Sequence, residues 1–383
     1  IQNIELIQCI ESLDNHPHRI YKGICLNNYM QKRAYKFRIY PNKKQELLLE
    51  DNLELAIFTY NKQLELKINK YKEENINLSY FDLNENLLKL KEEFPELNNL
   101  HSQNLQNINK RISLAFNGYF RRIKNKEKPG FPRYKSANRY NSITYPQSGF
   151  ELNNKLCLSK IGELIIKKHR HLKGEIKTLT IKKTSTNKWF ACFSVEIDNK
   201  KEIVNRNENY IGLDLGLNHF YADSEGNFIE NPRYLRKTGG KLAKASRKHS
   251  KKLKKSKNRL KSRLKLAKIH EKITNQRLDF LHKLSRNLSN NYSNIAVENL
   301  QINNMTKNKY LSKSINDASW NKFLQLLSYK VEETGGKLVE IDPRNTSQYC
   351  ICGNKVEKSL AVRTHKCNNC NIEIDRDIMS AMI

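Results

Sequence analysis

The reading of IGLDLGLNHF, residues 211–220, decides the fold: with the YADSEGNF that follows, it reads as a hairpin of buried strands. Asp214 lies inside it, between leucines. An ionised carboxylate on a buried strand is costly unless it is paired or binds a cation. Working outward, the same situation recurs twice. Glu298 closes the apolar strand NIAVEN (294–299), and Asp377 lies in IDRDIMSAMI (374–383), where a short helix begins. Taken singly, each acid has a structural explanation: a strand-end turn for Asp214, a helix cap for Glu298 and for Asp377. Taken together, they are three acids from three elements, and their carboxylates supply the hard oxygen ligands that two Mg²⁺ ions need. Two such ions, about 3.5–4 Å apart, clamp the attacking water and the leaving oxygen of a phosphodiester. A helix, WNKFLQLLSYKVEETGG (320–336), and a strand, KLVEID (337–342), follow the second acid. That strand and helix alternation argues for an α/β core.

The chain surrounding these acids is strongly cationic. Its 383 residues carry 70 Lys+Arg against 39 Asp+Glu, a formal net charge of +31. An excess of this size self-repels in a compact state and suits a polyanionic partner, nucleic acid first and an anionic membrane surface second. The apolar fraction of 38% is below the usual roughly 45–50%, so much of the surface faces solvent or such a partner. No apolar run reaches the length of a membrane-spanning helix. The opening IQNIELIQCIESLD lacks the basic start of a signal peptide, which makes the cytoplasm the expected compartment. A long basic helical stretch is expected over about 237–290. Within it, residues 237–268 hold fifteen Lys/Arg and no carboxylate, with Leu260, Leu264 and Ala267 forming a narrow apolar stripe. A solvated helix face usually interleaves signs, and a membrane-surface helix usually carries Trp or Phe. Phosphate-backbone contact fits better than either.

Before the decisive stretch, Tyr35, Phe37 and Ile39 alternate with Lys36, Arg38 and Tyr40 and stop at Pro41, as a half-buried strand would. Residues 43–122 show helical spacing. Residues 141–198 read as short strands (FELNNKLCLS, ELIIKKH, IKTLTIKK, WFACFSVEID) that suggest a small antiparallel barrel, with the 35–40 strand completing it and the helical block inserted between. Near the C-terminus, Cys350, Cys352, Cys367 and Cys370 form C-x-C and C-x-x-C, which suits one tetrahedral Zn²⁺ held by four thiolates. The first pair is one residue short of the usual spacing, and His365 is close enough to replace a misplaced thiolate. Gly353 would permit the tight turn of a knuckle.

These residues, in this order, resemble the TnpB family, also called OrfB-type probable transposases: transposon-encoded RNA-guided DNA endonucleases related to the type V CRISPR effectors. The resemblance runs from about 30 to 383 and rests on YKFRIYPNKKQ (35–45), YFRRIKNKEKPGFPRYKS (119–136), IGLDLGLNHF, NQRLDFLHKLSRNL (275–288), IAVENLQINNM (295–305) and TSQYCICG…HKCNNCNIEIDRD (346–377). It implies a multidomain α/β protein: a RuvC-like nuclease core of RNase H fold over 206–345 and 372–383, with a zinc ribbon inserted at 346–371. A wedge β-barrel over 30–42 and 130–205 would precede it, carrying a helical recognition lobe at 43–129, and residues 1–29 would be an extension outside the family. Asp214, Glu298 and Asp377 match the three RuvC acids that bind two Mg²⁺, and one structural Zn²⁺ is implied. The implied partners are a transposon-derived guide RNA and double-stranded target DNA, in the prokaryotic cytoplasm with the nucleoid; base pairing reads sequence while the protein reads backbone and shape. Candidate nucleic-acid contacts are Tyr35, Lys36, Phe37, Arg38, Arg121, Arg122, Lys252, Lys255, Arg259, Arg263, His282 and Lys283; strand packing is an equal alternative for the first four, and a helix-surface role for the last two. After the third acid the family pattern is Asp-x-Asn-Ala-Ala, whereas here it is Asp377-Ile378-Met379-Ser380-Ala381. Met379 removes an amide expected near the metal site. The alternative functions are an accessory or regulator of transposition with weak or no cleavage, and a guide-independent transposase.

Overall fold

The structure, a computed structural model, describes residues 31–137, 139–197, 209–344, 346–359 and 362–383. The extension expected over 1–29 and the boundary expected between 205 and 206 lie outside the described residues. Among the described residues the chain divides into two compact units, one spanning 31–197 and the other 209–383.

The first unit opens with β1 (Gln31–Tyr40), which ends at Pro41 and leads into α1 (Lys43–Glu74). Asn42 and Gln45 cap that helix reciprocally, each side chain accepting from the other's backbone N–H, so strand and helix are separated by a single tight corner. Two more helices follow, α2 (Tyr80–Glu93) and α3 (Ser102–Lys124). Then come β2 (Ser142–Tyr145), β3 (Phe150–Leu152), β4 (Leu156–Leu158), β5 (Gly162–Lys167), β6 (Glu175–Lys183) and β7 (Trp189–Ile197). All seven strands form one antiparallel, nearly closed sheet in the order β2-β6-β7-β1-β5-β4-β3. FELNNKLCLS, expected as one strand, is two: Asn153 N–H donates to the Lys155 carbonyl and turns the chain between β3 and β4. Residues from α1–α3 and from the sheet share one core that includes Leu53, Leu64, Ile112, Phe37, Phe193 and Trp189.

The second unit is a five-stranded sheet, order β10-β9-β8-β11-β12, flanked by helices. Its strands are β8 (Tyr210–Leu215), β9 (His219–Asp223), β10 (Phe228–Glu230), β11 (Asn294–Glu298) and β12 (Lys337–Ile341). β8, β11 and β12 run parallel, β9 is antiparallel to β8, and β10 is antiparallel to β9. This places the decisive stretch at the centre of the sheet. The long basic helical stretch expected over about 237–290 consists of two helices, α4 (Tyr234–Ser250) and α5 (Lys257–Asn291). The break comes at 251–256, where Lys255 takes a left-handed conformation (φ 67°) and Ser256 caps α5 by accepting from the Arg259 N–H. A capping serine in a run of lysines stops one helix and starts the next. Beyond β11 come α6 (Ile302–Met305), α7 (Ser312–Ala318) and α8 (Trp320–Glu333), the last of which crosses to β12. Phe323, Leu327 and Val331 of α8 are fully buried against Ile295, Val297 and Leu281. The chain then forms the cysteine module, with β13 (Thr364–Lys366) paired to β14 (Glu373–Asp375), and ends in α9 (Arg376–Met382).

Candidate functional site

Asp214 and Glu298 come together because β8 and β11 are parallel neighbours in register. Leu213 pairs with Val297, so the two acids sit side by side at the C-terminal ends of adjacent strands. The third acid arrives from α9, which lies directly on β8. At Gly212 the approach is so close that a Cβ would fall 1.8 Å from the Ala381 carbonyl oxygen, and only glycine permits it. Asp377, one turn before Ala381, is thereby carried to the neighbourhood of Asp214.

The electrostatics record this convergence. Burial, then the negative charges of Glu298 and Asp377, push the Asp214 carboxyl up to about 7, against a smaller downward pull from Arg376. Burial also raises Glu298, and hydrogen bonds from Thr346 and Ser380 oppose that rise. Asp377 instead faces cations, with Arg363 Nη1 at 3.2 Å and Arg376 Nη2 at 3.1 Å. Two other buried acids in this unit are structurally accounted for: Asp223 accepts from the N–H groups of Glu225 and Asn227, and Asp317 from Leu235 N–H and the Arg277 guanidinium. No donor to the Asp214 carboxylate occurs among the described residues. Hard carboxylate oxygens that repel one another in a buried place are a donor set suited to Mg²⁺. The end-capping readings do not match the structure: Asp375, not Asp377, caps α9, and Glu298 lies on a strand.

The four cysteines lie within 4.8 Å of one another at their sulfurs, a closeness that the oxygens of Asp214, Glu298 and Asp377 do not share among the described residues. Sγ of Cys350 is 3.5 Å from that of Cys370, and Sγ of Cys352 is 3.6 Å from that of Cys367. A tetrahedron with metal–sulfur bonds of about 2.3 Å has edges of about 3.8 Å, so the donor set fits one soft ion. The short C-x-C does not prevent this, because Gly353 (φ 80°) closes the knuckle and its N–H donates to the Cys350 carbonyl. Backbone N–H groups of Cys370 and Asn369 draw the Cys367 thiol down to about 6, toward the thiolate that a metal binds. His365 is buried with Nδ1 against Lys358 Nζ and is not among the four ligands.

The structure corrects several expectations. Tyr35 and Phe37 are not on the surface: the period of two turns them into the core of the seven-stranded sheet. Lys36 and Arg38 occupy the other face, stacked on Phe190 at 4.1 and 5.2 Å. Met379 is not beside the acids but fully buried with Cys350 and Cys367, while its neighbour Ser380 reaches Glu298. Arg121 and Arg122 are exposed at the end of α3, and Lys252, Lys255 and Arg263 are exposed on α5 or before it. Arg259 is half-buried and closes the turn, donating to the Lys252 carbonyl at 2.8 Å. Lys283 pairs with Asp279 one helical turn earlier, and the His282 carbonyl accepts from the buried Lys330. Sequence reasoning missed Thr346, Ser380, Arg363 and Arg376. Thr346 and Ser380 lie 48 and 82 positions from Glu298, separations that leave no local pattern, whereas Arg376 stands next to its partner Asp377 in the chain.

Three family profiles match: the transposase profile OrfB_IS605 over 192–309, the Cas12f1-like TNB domain over 320–383 and a helix-turn-helix domain over 30–75. The last span is, in this structure, a strand followed by one helix. A "Putative RNA-guided DNA endonuclease" of Streptomyces pristinaespiralis is 33% identical over 360 residues, covering 91% of this chain and 88% of the relative. The chain belongs to the TnpB family. InsQ of Escherichia coli K12, described in the same words, is 28% identical, covering 91% of this chain and 92% of its own length. The TnpB-like protein MJ0751 of Methanocaldococcus jannaschii is 27% identical over 62% of this TnpB chain and 86% of its own. Among solved structures, a Cas12f1–sgRNA–target DNA complex aligns over 92% of this chain and 98% of that one, with a TM-score of 0.56 and 12% identity, a likeness of fold. Within the described residues, no helix of this TnpB protein is long and apolar enough to cross a membrane.

Proposed function

We propose that this protein is an RNA-guided, Mg²⁺-dependent DNA endonuclease in which Asp214, Glu298 and Asp377 hold the catalytic ions of a RuvC-like core with an RNase H fold. The observation that carries the proposal is the convergence of the three acids from β8, β11 and α9, with the Asp214 carboxyl pushed to about 7 by burial and the other two. The named function of the relatives that match along most of the chain supports it. When bound, the metal pair activates water and stabilises the leaving oxygen of the scissile phosphate. The chain's own part is to fix the acids: β8 and β11 set two of them by register, and α9 sets the third by its contact at Gly212. Cys350, Cys352, Cys367 and Cys370 would hold one structural Zn²⁺, and the module they close carries α9. The seven-stranded sheet would serve as the wedge and α1–α3 as the recognition lobe, together holding guide RNA. Lys36, Arg38, Arg121, Arg122, Lys252, Lys255 and Arg263 are the proposed phosphate contacts.

The test is to co-express the chain with the flanking end of its element, sequence the bound RNA, and incubate the complex with matched duplex DNA and Mg²⁺. Cleavage that requires RNA, Mg²⁺ and Asp214 is expected. Cleavage that persists without RNA, or survives Asp214→Ala, would overturn the reading. One observation favours the accessory role instead: Asp377 is already paired with two arginines. RNA binding without any cleavage is the result that role predicts.

A further inference from the structure

Glu298 is 9% exposed and belongs to the centre proposed above, yet the chain places two hydroxyls against it. Thr346 Oγ1 lies 2.6 Å from Glu298 Oε1, and Ser380 Oγ lies 3.4 Å from the same oxygen and 3.3 Å from Thr346 Oγ1. All three side chains are buried. Thr346 has one proton to give, and its other acceptor, the Pro343 carbonyl, is farther away at 3.3 Å, so the proton goes to Glu298. Ser380 then donates into the pair. A carboxylate that accepts at Oε1 in this way has its torsion fixed and Oε2 left open.

We infer that Thr346 and Ser380 are positioning residues: their hydroxyls clamp Oε1 of Glu298 so that its remaining lone pairs face the ions held by the acidic centre. Both hydroxyls are tied to the cysteine module. Thr346 stands four positions before Cys350, and Ser380 follows Met379, which is buried against Cys350 and Cys367. Partners of this kind, one step behind a metal ligand, typically change metal affinity by about 10–100-fold when removed.

The inference rests on the acidic centre being a metal site, and the experiment separates the two claims. Mn²⁺ binding to the full chain with its co-expressed RNA is followed by electron paramagnetic resonance for wild type, Asp214→Ala, Thr346→Val, Thr346→Ser and Ser380→Ala, alongside the Mg²⁺ dependence of cleavage. Thr346→Val keeps shape and removes the hydroxyl; it should weaken Mn²⁺ binding by about 10–100-fold and raise the Mg²⁺ needed for half-maximal cleavage in parallel. Thr346→Ser should restore both, and Ser380→Ala should give a smaller loss in line with its longer contacts. Thermal unfolding in metal-free buffer checks that each variant is folded; if Thr346→Val is not, the Ser380→Ala arm decides. Wild-type Mn²⁺ affinity in a folded Thr346→Val overturns the inference while leaving the acidic centre intact. Wild type binding no more Mn²⁺ than Asp214→Ala overturns the centre and the inference together.

Discussion

Asp214 is held in a place that opposes its own charge. Its carboxyl titrates near 7 in the folded chain and near 3.9 when unfolded, so between those values the folded state binds more protons. Stability of the metal-free protein therefore falls as pH rises from about 4 to 7 and stays reduced above that. Asp214→Asn should abolish cleavage and, in chelator at pH 8, raise the melting temperature by at least about 2–4 °C, the equivalent of roughly 1 kcal/mol in a unit of this size. Equal melting temperatures at pH 8 would show that burial and repulsion do not act on this residue. Bound Mg²⁺ should remove the difference. Gly212 gives a second prediction, made on sterics. Gly212→Ala places a methyl 1.8 Å from the Ala381 oxygen, so α9 must move off β8. Cleavage should fall at least as far as in an acid mutant although every acid remains, while RNA binding through the first unit persists. The sequence marked Asp214 as anomalous, an acid between leucines, but the glycine two positions before it carried no signal of the helix that needs it.

At the scale of elements, α9 has seven residues and two different jobs on its faces. Met379 fills the core of the cysteine module, and Ser380 and Ala381 face the acids and β8. So short a helix has little stability of its own, and its position depends on what it packs against. Cys367→Ser should lower bound zinc from about one per chain toward none, as expected when one thiolate of a closed tetrahedral site is removed, and should weaken Mn²⁺ binding at the acids as well. Zinc loss with unchanged Mn²⁺ binding would show that the module does not hold α9. Helix α4 poses the opposite case, since none of its residues is buried. Its half-buried side, with Leu235, Leu242 and Ala245, packs on α5, while its basic residues Lys237, Lys241, Lys244, Arg247 and Lys248 stay exposed. Replacing Lys252 and Lys255, in the turn that follows it, with glutamine should flatten the slope of log affinity against log salt by about 0.7–0.9 for each phosphate that is no longer neutralised. The run of lysines was plain in the sequence. The break inside it was not, because a single capping serine decides it.

The described residues form two large cores, one built from α1–α3 with the seven-stranded sheet and the other around the five-stranded sheet, besides the small cluster of the cysteine module. Calorimetric unfolding should therefore depart from a single two-state transition, and a zinc chelator should shift only the transition that belongs to the second unit. One coincident transition insensitive to chelator would argue against this division. The net charge of +31 belongs to this scale too, because self-repulsion of that order is eased by salt and by any polyanion bound along the chain.

The sequence by itself determined the family, the two sheets, the basic run and the spacing of the cysteines, because periodicity, composition and short motifs are local properties of a chain. Tertiary structure alone decided which residues meet. It sent Met379 into the cysteine module and brought Thr346 and Ser380 to Glu298 across 48 and 82 positions. Those contacts depend on strand register and on one glycine-sized gap between β8 and α9, and neither is written in any short stretch of the chain.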